Sequence, residues 1–295
     1  MQPFGSEVAT GSQIPVYRTG GRRPYQEKIA VADWKRDLPL YIFLAAAAVL
    51  TIASFVLLNL DWAKVASRLP KFMDVTSEML HLSTERFSIT LTTLTETITV
   101  TILATIYGML IGLLAGALGA ENITPWKPLS VILQSFFALL RSVPTVVWVL
   151  LVLACVGFGP AAGIVGLSFH VVAFFGKVFA QAFEEVPEET IEALRATGAN
   201  RIQMFFGAVL PSSFTALIAW TALRFEINFS EASILGMVGA GGVGYTIMAA
   251  MNSYKLGRAG LAVLLIFLFA YLVEALSTAV KQRASFKERY QKRIY

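Results

Sequence analysis

Six long stretches without a charged residue constrain this chain more than any other feature: Leu38–Leu60, Thr97–Ala120, Ser142–Gly176, Ile202–Leu223, Ala232–Tyr254 and Ala259–Val273. A helix that crosses a bilayer needs roughly 20 mostly apolar residues, and most of these stretches reach that length. Only 15% of the residues are charged, against about 25% in an ordinary soluble domain. Such a chain cannot cover itself with a polar surface in water. The fold class that follows is an all-α polytopic membrane protein.

The Ser142–Gly176 run is too long for one helix, and Gly157-Phe158-Gly159-Pro160 breaks it. The predicted spans are then 38–60, 92–118, 135–157, 161–182, 208–228 and 259–280. Residues 1–37 carry six basic residues, and the segment from Lys281 carries six more. Basic residues beside span ends favour the cytoplasm, so both termini are expected there. That requires an even number of crossings, and six fits. Ala232–Tyr254, with Gly236, Gly239, Gly241, Gly242 and Gly244, is then a re-entrant or broken-helix element. It either packs closely or lines a pathway, because irregular backbone at membrane depth must be buried by protein or face water.

The organisation expected is a disordered basic cytoplasmic segment with a short lead-in (1–37), a first transmembrane helix (38–60) and an extracytoplasmic loop (61–88). A core follows (89–280), containing a cytoplasmic loop (183–207) and the glycine-rich element (232–254), and then a basic cytoplasmic tail (281–295). The first apolar run is read as a retained helix that also directs insertion. The single cysteine, Cys155, excludes an internal disulfide and reads as a small buried hydrophobe.

The 183–207 loop holds the most informative spacing. Pro187 suits the first turn of a helix, Glu188 and Glu189 face the positive end of its dipole, and Gly198 is a natural stop. Asn200 is available to cap a second short helix, and Pro211 to open the next span. Ile191, Leu194, Ile202, Phe205 and Phe206 offer apolar contacts. A helix this short is not stable alone in water, so it docks on the membrane domain or on a soluble protein beneath it.

Glu192-Ala193-Leu194, three residues, Gly198, nine residues and Ala208-Val209-Leu210-Pro211 resemble the cytoplasmic loop signature of ABC importer permeases, E-A-A-x3-G-x9-I-x-L-P. Leu194 and Ala208 depart from the pattern but stay apolar. Ala120–Trp126, Arg195–Asn200, Arg224–Asn228 and Val238–Gly244 look like the phosphonate-import permease subfamily, and the similarity covers about residues 85–280. The resemblance implies a six-helix, type I importer-like permease with a coupling helix pair. Its ATPase-coupling residues are Glu188, Glu192, Ala193, Leu194, Ala196, Gly198, Leu210 and Pro211. It implies a homodimer in the bacterial cytoplasmic membrane, two copies of an ABC ATPase subunit that bind the ATP and Mg, and an extracytoplasmic substrate-binding protein. The substrate implied is phosphonate or a related phosphorus oxyanion, phosphate or phosphite, moved by alternating access. Other solutes on the same architecture, such as methionine or a metal oxyanion, and an ion-gradient-driven secondary transporter are the alternatives.

Ionisable residues inside spans are costly and usually functional or paired; here they are Glu96, Arg141, Lys177, Arg224, Glu226 and Glu274. Arg141 is expected where the third span enters from the cytoplasmic side, and Glu96 at the outer edge of its span. A guanidinium matches the oxygens of a phosphorus dianion, which makes Arg224 a candidate anion contact; a structural ion pair with Glu226 or Glu231, or a gate, is the other reading. The candidate pathway set is Arg141, Arg224, Glu226, Asn228, Gly239, Gly241, Gly242 and Gly244.

Other chemistry finds no footing. Gly239-Ala-Gly-Gly-Val-Gly244 fits G-x-G-x-x-G, but the next acid is Glu274 and the setting is a membrane run. No phosphate-binding G-x4-G-K-[ST] occurs, so ATP hydrolysis is expected in a separate subunit. His81 and His170 are far apart without cysteine or H-E-x-x-H partners, so no metal or other cofactor is expected. The basic residues cluster beside spans and do not suggest nucleic acid.

Overall fold

The computed structural model describes residues 34–58 and 61–291, with side chains for all of them except 34–36, 280 and 283–291. The disorder expected for the first 33 residues lies outside the described residues. Two compact units emerge, one ending at Ser67 and one beginning at Arg68. The first holds α1 (Trp34–Leu57) and the start of α2 (Trp62–Leu80). The stretch read as a loop, 61–88, is therefore largely helical.

The second unit contains α3 (Phe87–Gly119), α4 (Lys127–Ser142), α5 (Thr145–Val156), α6 (Pro160–Glu184), α7 (Glu188–Ala196), α8 (Arg201–Met204), α9 (Leu210–Leu235), α10 (Val243–Asn252) and α11 (Leu256–Gln291). Among the described residues there is no strand. Five helices are long and apolar enough to cross a bilayer, and six if α4 and α5 count as one crossing. The basic segment read as a tail continues α11 as far as Gln291.

One expected span is corrected. In place of a straight helix over 135–157, α4 and α5 meet at 85°. Pro144 explains the break, because it lacks an N–H and pushes Val143 out of the helical region, to φ −91° and ψ 126°. The expected turn at Gly157–Pro160 is present, with Gly157 at φ 90° and Gly159 at φ 137°. Cys155 is exposed, not buried: α5 turns Val149 and Leu153, one helical turn apart, into the core.

The centre of the second unit is α6, which buries Leu167, Val171, Phe175, Phe179 and Phe183. In lipid, apolar side chains gain little by leaving the solvent, so helices associate through close packing. The contact between α3 and α6 shows how. Gly108, Gly112 and Gly116 form a stripe along α3, and a Cβ on the first two would fall 2.4 Å from side-chain carbons of Val171 and Phe175. The repeat places three glycines at four-residue intervals, so the two backbones approach along more than two turns. Gly166 against the backbone of Val149 and Gly176 against the ring of Phe137 bring α5 and α4 equally close to α6.

The second half of the expected helix pair is also altered. Pro211 does not open a new span: α8 and α9 join through a five-residue π-helical turn, Phe205–Val209, into one apolar stretch from Arg201 to Val238. Leu210 donates to the carbonyl of Phe205, five residues back. Widening the helix just ahead of Pro211 absorbs the hydrogen bond that a proline cannot make.

Candidate functional site

Three groupings of polar and strained residues stand out. The first is the helix pair between α6 and α9. Ile191 is 3% exposed and anchors α7, and Leu194 lies over the position where a Cβ on Gly207 would sit, 3.8 Å away. Glu188, Glu192, Ala193, Ala196 and Gly198 are exposed, so α7 presents one continuous face outward. Gly198 holds φ 82°, a left-handed conformation natural for glycine at a helix end. Asn200 and Gln203 then form a reciprocal capping box, as the cap at Asn200 required. Leu210 is half-buried and Pro211 exposed, both beyond the π-helical turn and apart from α7 in the chain.

The pair is tied to the connection between α3 and α4. Arg201 donates to the carbonyl of Thr124, and Asn122 to that of Phe183 at 2.8 Å, while the N–H of Glu121 donates to Glu184 at 2.9 Å. A polar recess of about 440 Å³ lies there, lined by Lys127, Arg195 and Arg201 together with Glu121.

The second grouping lies deep in the bundle. Arg224 on α9 is only 3% exposed. Its Nη2 donates to Nδ1 of His170 at 3.1 Å and to the Glu231 carboxylate at 3.3 Å, and its Nε is buried without a partner. The guanidinium carbons of Arg224 and Arg141 lie over the ring of Phe174, 5.1 and 5.6 Å from its centroid. The ion-pair partner is thus Glu231 and not Glu226. Arg141 lies in the last turn of α4, beside Phe174. Glu226 faces a groove of about 700 Å³ together with Glu231 and Glu274. Asn228 is fully buried and donates to Thr105 at 2.8 Å, leaving its Oδ1 unpartnered.

The third grouping is the glycine-rich break between α9 and α10. Gly239, Gly241 and Gly242 have φ of 110°, 76° and 77°. Each is pressed against the protein: a Cβ on Gly239 would meet the Phe158 ring at 2.4 Å, one on Gly241 Pro160 at 3.2 Å, and one on Gly242 the Thr97 hydroxyl at 2.4 Å. Gly244 packs on Gly236 and the Ser233 carbonyl. The broken-helix form expected for 232–254 is present, and its glycines make close contacts. Glu96 accepts the N–H of Gly242 and Thr97 that of Val243, satisfying donors at the start of α10.

These last two groupings are separate. Gly236 lies 12 residues beyond Arg224 on the same continuous helix, about 18 Å along it. His170 and Phe174 were not singled out as site residues by sequence, and Glu96 was marked only as an ionisable residue within a span; no spacing links them to Arg224 and Gly242, which they meet only across helices. The α3 glycines were not read from the sequence either, although their four-residue spacing is the signal that marks such a contact.

Comparison with known proteins gives this geometry a family. Residues 108–286 match the family described as binding-protein-dependent transport system inner membrane component. The phosphate-import permease protein PhnE of Mycolicibacterium smegmatis is 34% identical over 166 residues, 56% of this chain and 31% of that protein. The phosphite transport system permease protein PtxC of Stutzerimonas stutzeri is 33% identical over 165 residues, 56% of this chain and 60% of that protein. The chain thus spans about a third of one and three fifths of the other. In fold it is similar to a chain of the inward-facing MetNI methionine ABC transporter, with a TM-score of 0.61 and 22% identity, covering 69% of this chain and 99% of that one. With the match extending over more than half of its length, the chain belongs to the family of binding-protein-dependent transport system inner membrane components.

Proposed function

We propose that this chain is the membrane-spanning permease subunit of an ATP-driven importer for phosphonate or a related phosphorus oxyanion, phosphate or phosphite. The observation that carries the reading is α7, a short helix with an exposed face that turns at Gly198, hung between two spans and anchored by Ile191, with α8 after it held by the Arg201–Thr124 contact. A face so presented suits docking on a soluble subunit. Glu188, Glu192, Ala193, Ala196 and Gly198 form the contact, and Leu194, Leu210 and Pro211 link it to the span behind. The names of the relatives support the substrate class, and so does the pair of guanidinium groups at Phe174.

The working assembly is a homodimer of this chain with two ABC ATPase subunits, fed by an extracytoplasmic binding protein. It sits in the bacterial cytoplasmic membrane with both termini inside, the orientation that the flanking basic residues favour. ATP binds the closed ATPase dimer better than the open one, and that difference in affinity shifts the permease between inward and outward states. Arg141 and Arg224 contact the anion, Glu226 and Asn228 lie along the same helix, and Gly239, Gly241, Gly242 and Gly244 shape the far end of the path.

The test is reconstitution of the full chain with its ATPase and binding protein in proteoliposomes, with uptake measured for methylphosphonate, phosphate, phosphite and L-methionine. ATP-dependent uptake of a phosphorus compound supports the reading. Uptake of methionine alone, the solute in the name of the 23% identical methionine import system permease protein MetP of Bacillus subtilis, overturns the substrate class and leaves the architecture standing. Uptake driven by an ion gradient without the ATPase overturns both.

A further inference from the structure

The Arg224 cluster contains a histidine for which the permease reading has no use. His170 lies 10 residues into α6, about 15 Å from the start of a helix long and apolar enough to cross a bilayer. It is half-buried, and its Nδ1 stands 3.1 Å from Nη2 of Arg224. A guanidinium has five donors and no acceptor, so Nδ1 must accept and cannot carry a proton. The imidazole is then the neutral tautomer with its proton on Nε2. That N–H has no hydrogen-bond partner among the described residues and is not sealed in, since it is absent from the few enclosed, unpartnered polar atoms.

An unpartnered donor at this depth must meet water or another polar group, because lipid offers nothing to accept it. Arg141, exposed at the end of α4, faces the same ring, Phe174, as Arg224 does. Two guanidinium groups therefore lie over one aromatic ring, that of Arg141 exposed and that of Arg224 held, and the imidazole of His170 is one helical turn from that ring on α6. The held guanidinium has a carboxylate partner, Glu231 at 3.3 Å, that is itself only half-buried, so an incoming anion can take its place.

Resting on the permease reading above, we infer that His170 is a specificity-determining residue of the transport path. Its Nε2–H donates to an oxygen of the phosphorus oxyanion while the anion replaces Glu231 at Arg224. The exchange gives Arg224 a new anionic partner for the carboxylate it leaves, and Glu231 is released towards the groove it already lines with Glu226 and Glu274. When the anion departs, Glu231 returns. The arrangement holds Arg224 in place without trapping the substrate. It selects a group with at least three oxygens, one for each of Arg141, His170 and Arg224, over a carboxylate with two.

Two substitutions separate the ring's two nitrogens. His170→Asn keeps an acceptor near the Nδ1 position and removes the distal donor. His170→Gln reaches the Nε2 position with an amide N–H. In proteoliposomes holding the full chain with its ATPase and binding protein, His170→Asn is expected to raise the KM for methylphosphonate about tenfold or more, the worth of a hydrogen bond to a charged group. His170→Gln should stay within a few-fold of wild type, and assembly with the ATPase should be unchanged in both. Glu231→Gln should lower both KM and kcat, because nothing then returns Arg224 from the anion. If the wild type carries a phosphorus oxyanion and His170→Asn matches it in KM, the inference about His170 is overturned while the permease reading stands. If both variants lose uptake together with assembly, His170 is a packing residue, which also overturns it. If the wild type carries no phosphorus compound, the reading and the inference fail together.

Discussion

The carboxylate of Glu96 lies 3.1 Å from the backbone nitrogen of Gly242, 146 positions further along the chain. Beside it the Thr97 hydroxyl accepts the N–H of Val243 at 2.9 Å. Together they supply to α10 the capping that its own preceding residue, a glycine, cannot. Thr97→Val leaves the Val243 N–H buried without a partner and is expected to cost about 1–3 kcal/mol. Thermal unfolding in detergent would show it as a lower midpoint than in Thr97→Ser, which keeps the hydroxyl.

Gly239 combines a backbone at φ 110° with a ring in the space of its missing Cβ. Gly239→Ala therefore meets two obstacles, of which Phe158 is one. Phe158 is 86% exposed, so it can be trimmed at little cost. The double variant Gly239→Ala with Phe158→Ala should recover part of the stability lost by Gly239→Ala alone. The unrecovered part, about 1–3 kcal/mol, reports the backbone; full recovery would show that the steric contact was the whole effect.

Along α3, the position of Gly112 leaves a methyl group 2.4 Å from the Cβ of Phe175. Backbone cannot yield there as a flexible side chain could. Gly112→Ala should destabilise by about 1–3 kcal/mol and Gly112→Leu should prevent stable folding, read as loss of monodisperse protein after extraction. Gly119→Ala, with 3.4 Å to the nearest atom, should be close to neutral.

At Gly198 there is space but not conformational freedom, since nothing lies within 4 Å of a Cβ while φ is 82°. Gly198→Asn should assemble with the ATPase, because asparagine tolerates the left-handed region, whereas Gly198→Val should not. Glu192→Lys reverses a charge on the exposed face of α7 without touching the core. It should leave the permease folded while reducing binding-protein-stimulated ATPase activity. Unchanged co-purification and stimulation in both Gly198→Val and Glu192→Lys would move the docking site elsewhere.

Asn200→Ala removes the capping box that starts α8, at a cost of about 1 kcal/mol. The effect should appear as faster hydrogen exchange confined to residues 197–205, with the spans protected as before.

Much of this protein was legible from the order of its residues. Long uncharged runs specify membrane helices because lipid cannot solvate a charge or an open backbone. Pro187, Gly198 and Asn200 specify where the short helix pair starts and turns because capping and left-handed turns are local events. The glycine cluster at 236–244 announced a break for the same reason.

What the sequence could not decide was set by groups distant in the chain. The angle between α4 and α5 at Pro144 depends on how both pack on α6, and the surroundings of Arg224 depend on α6 bringing His170 and Phe174 to it. Of its two candidate counter-ions on α9, Glu226 is two residues away and on another face of the helix, whereas Glu231, seven residues on, shares its face and is at 3.3 Å. His170 and Glu96 became informative through neighbours 54 and 146 positions away. Local conformation follows from each residue and its neighbours, but in a membrane the pairing of polar groups depends on helix packing, because lipid offers them no other partner.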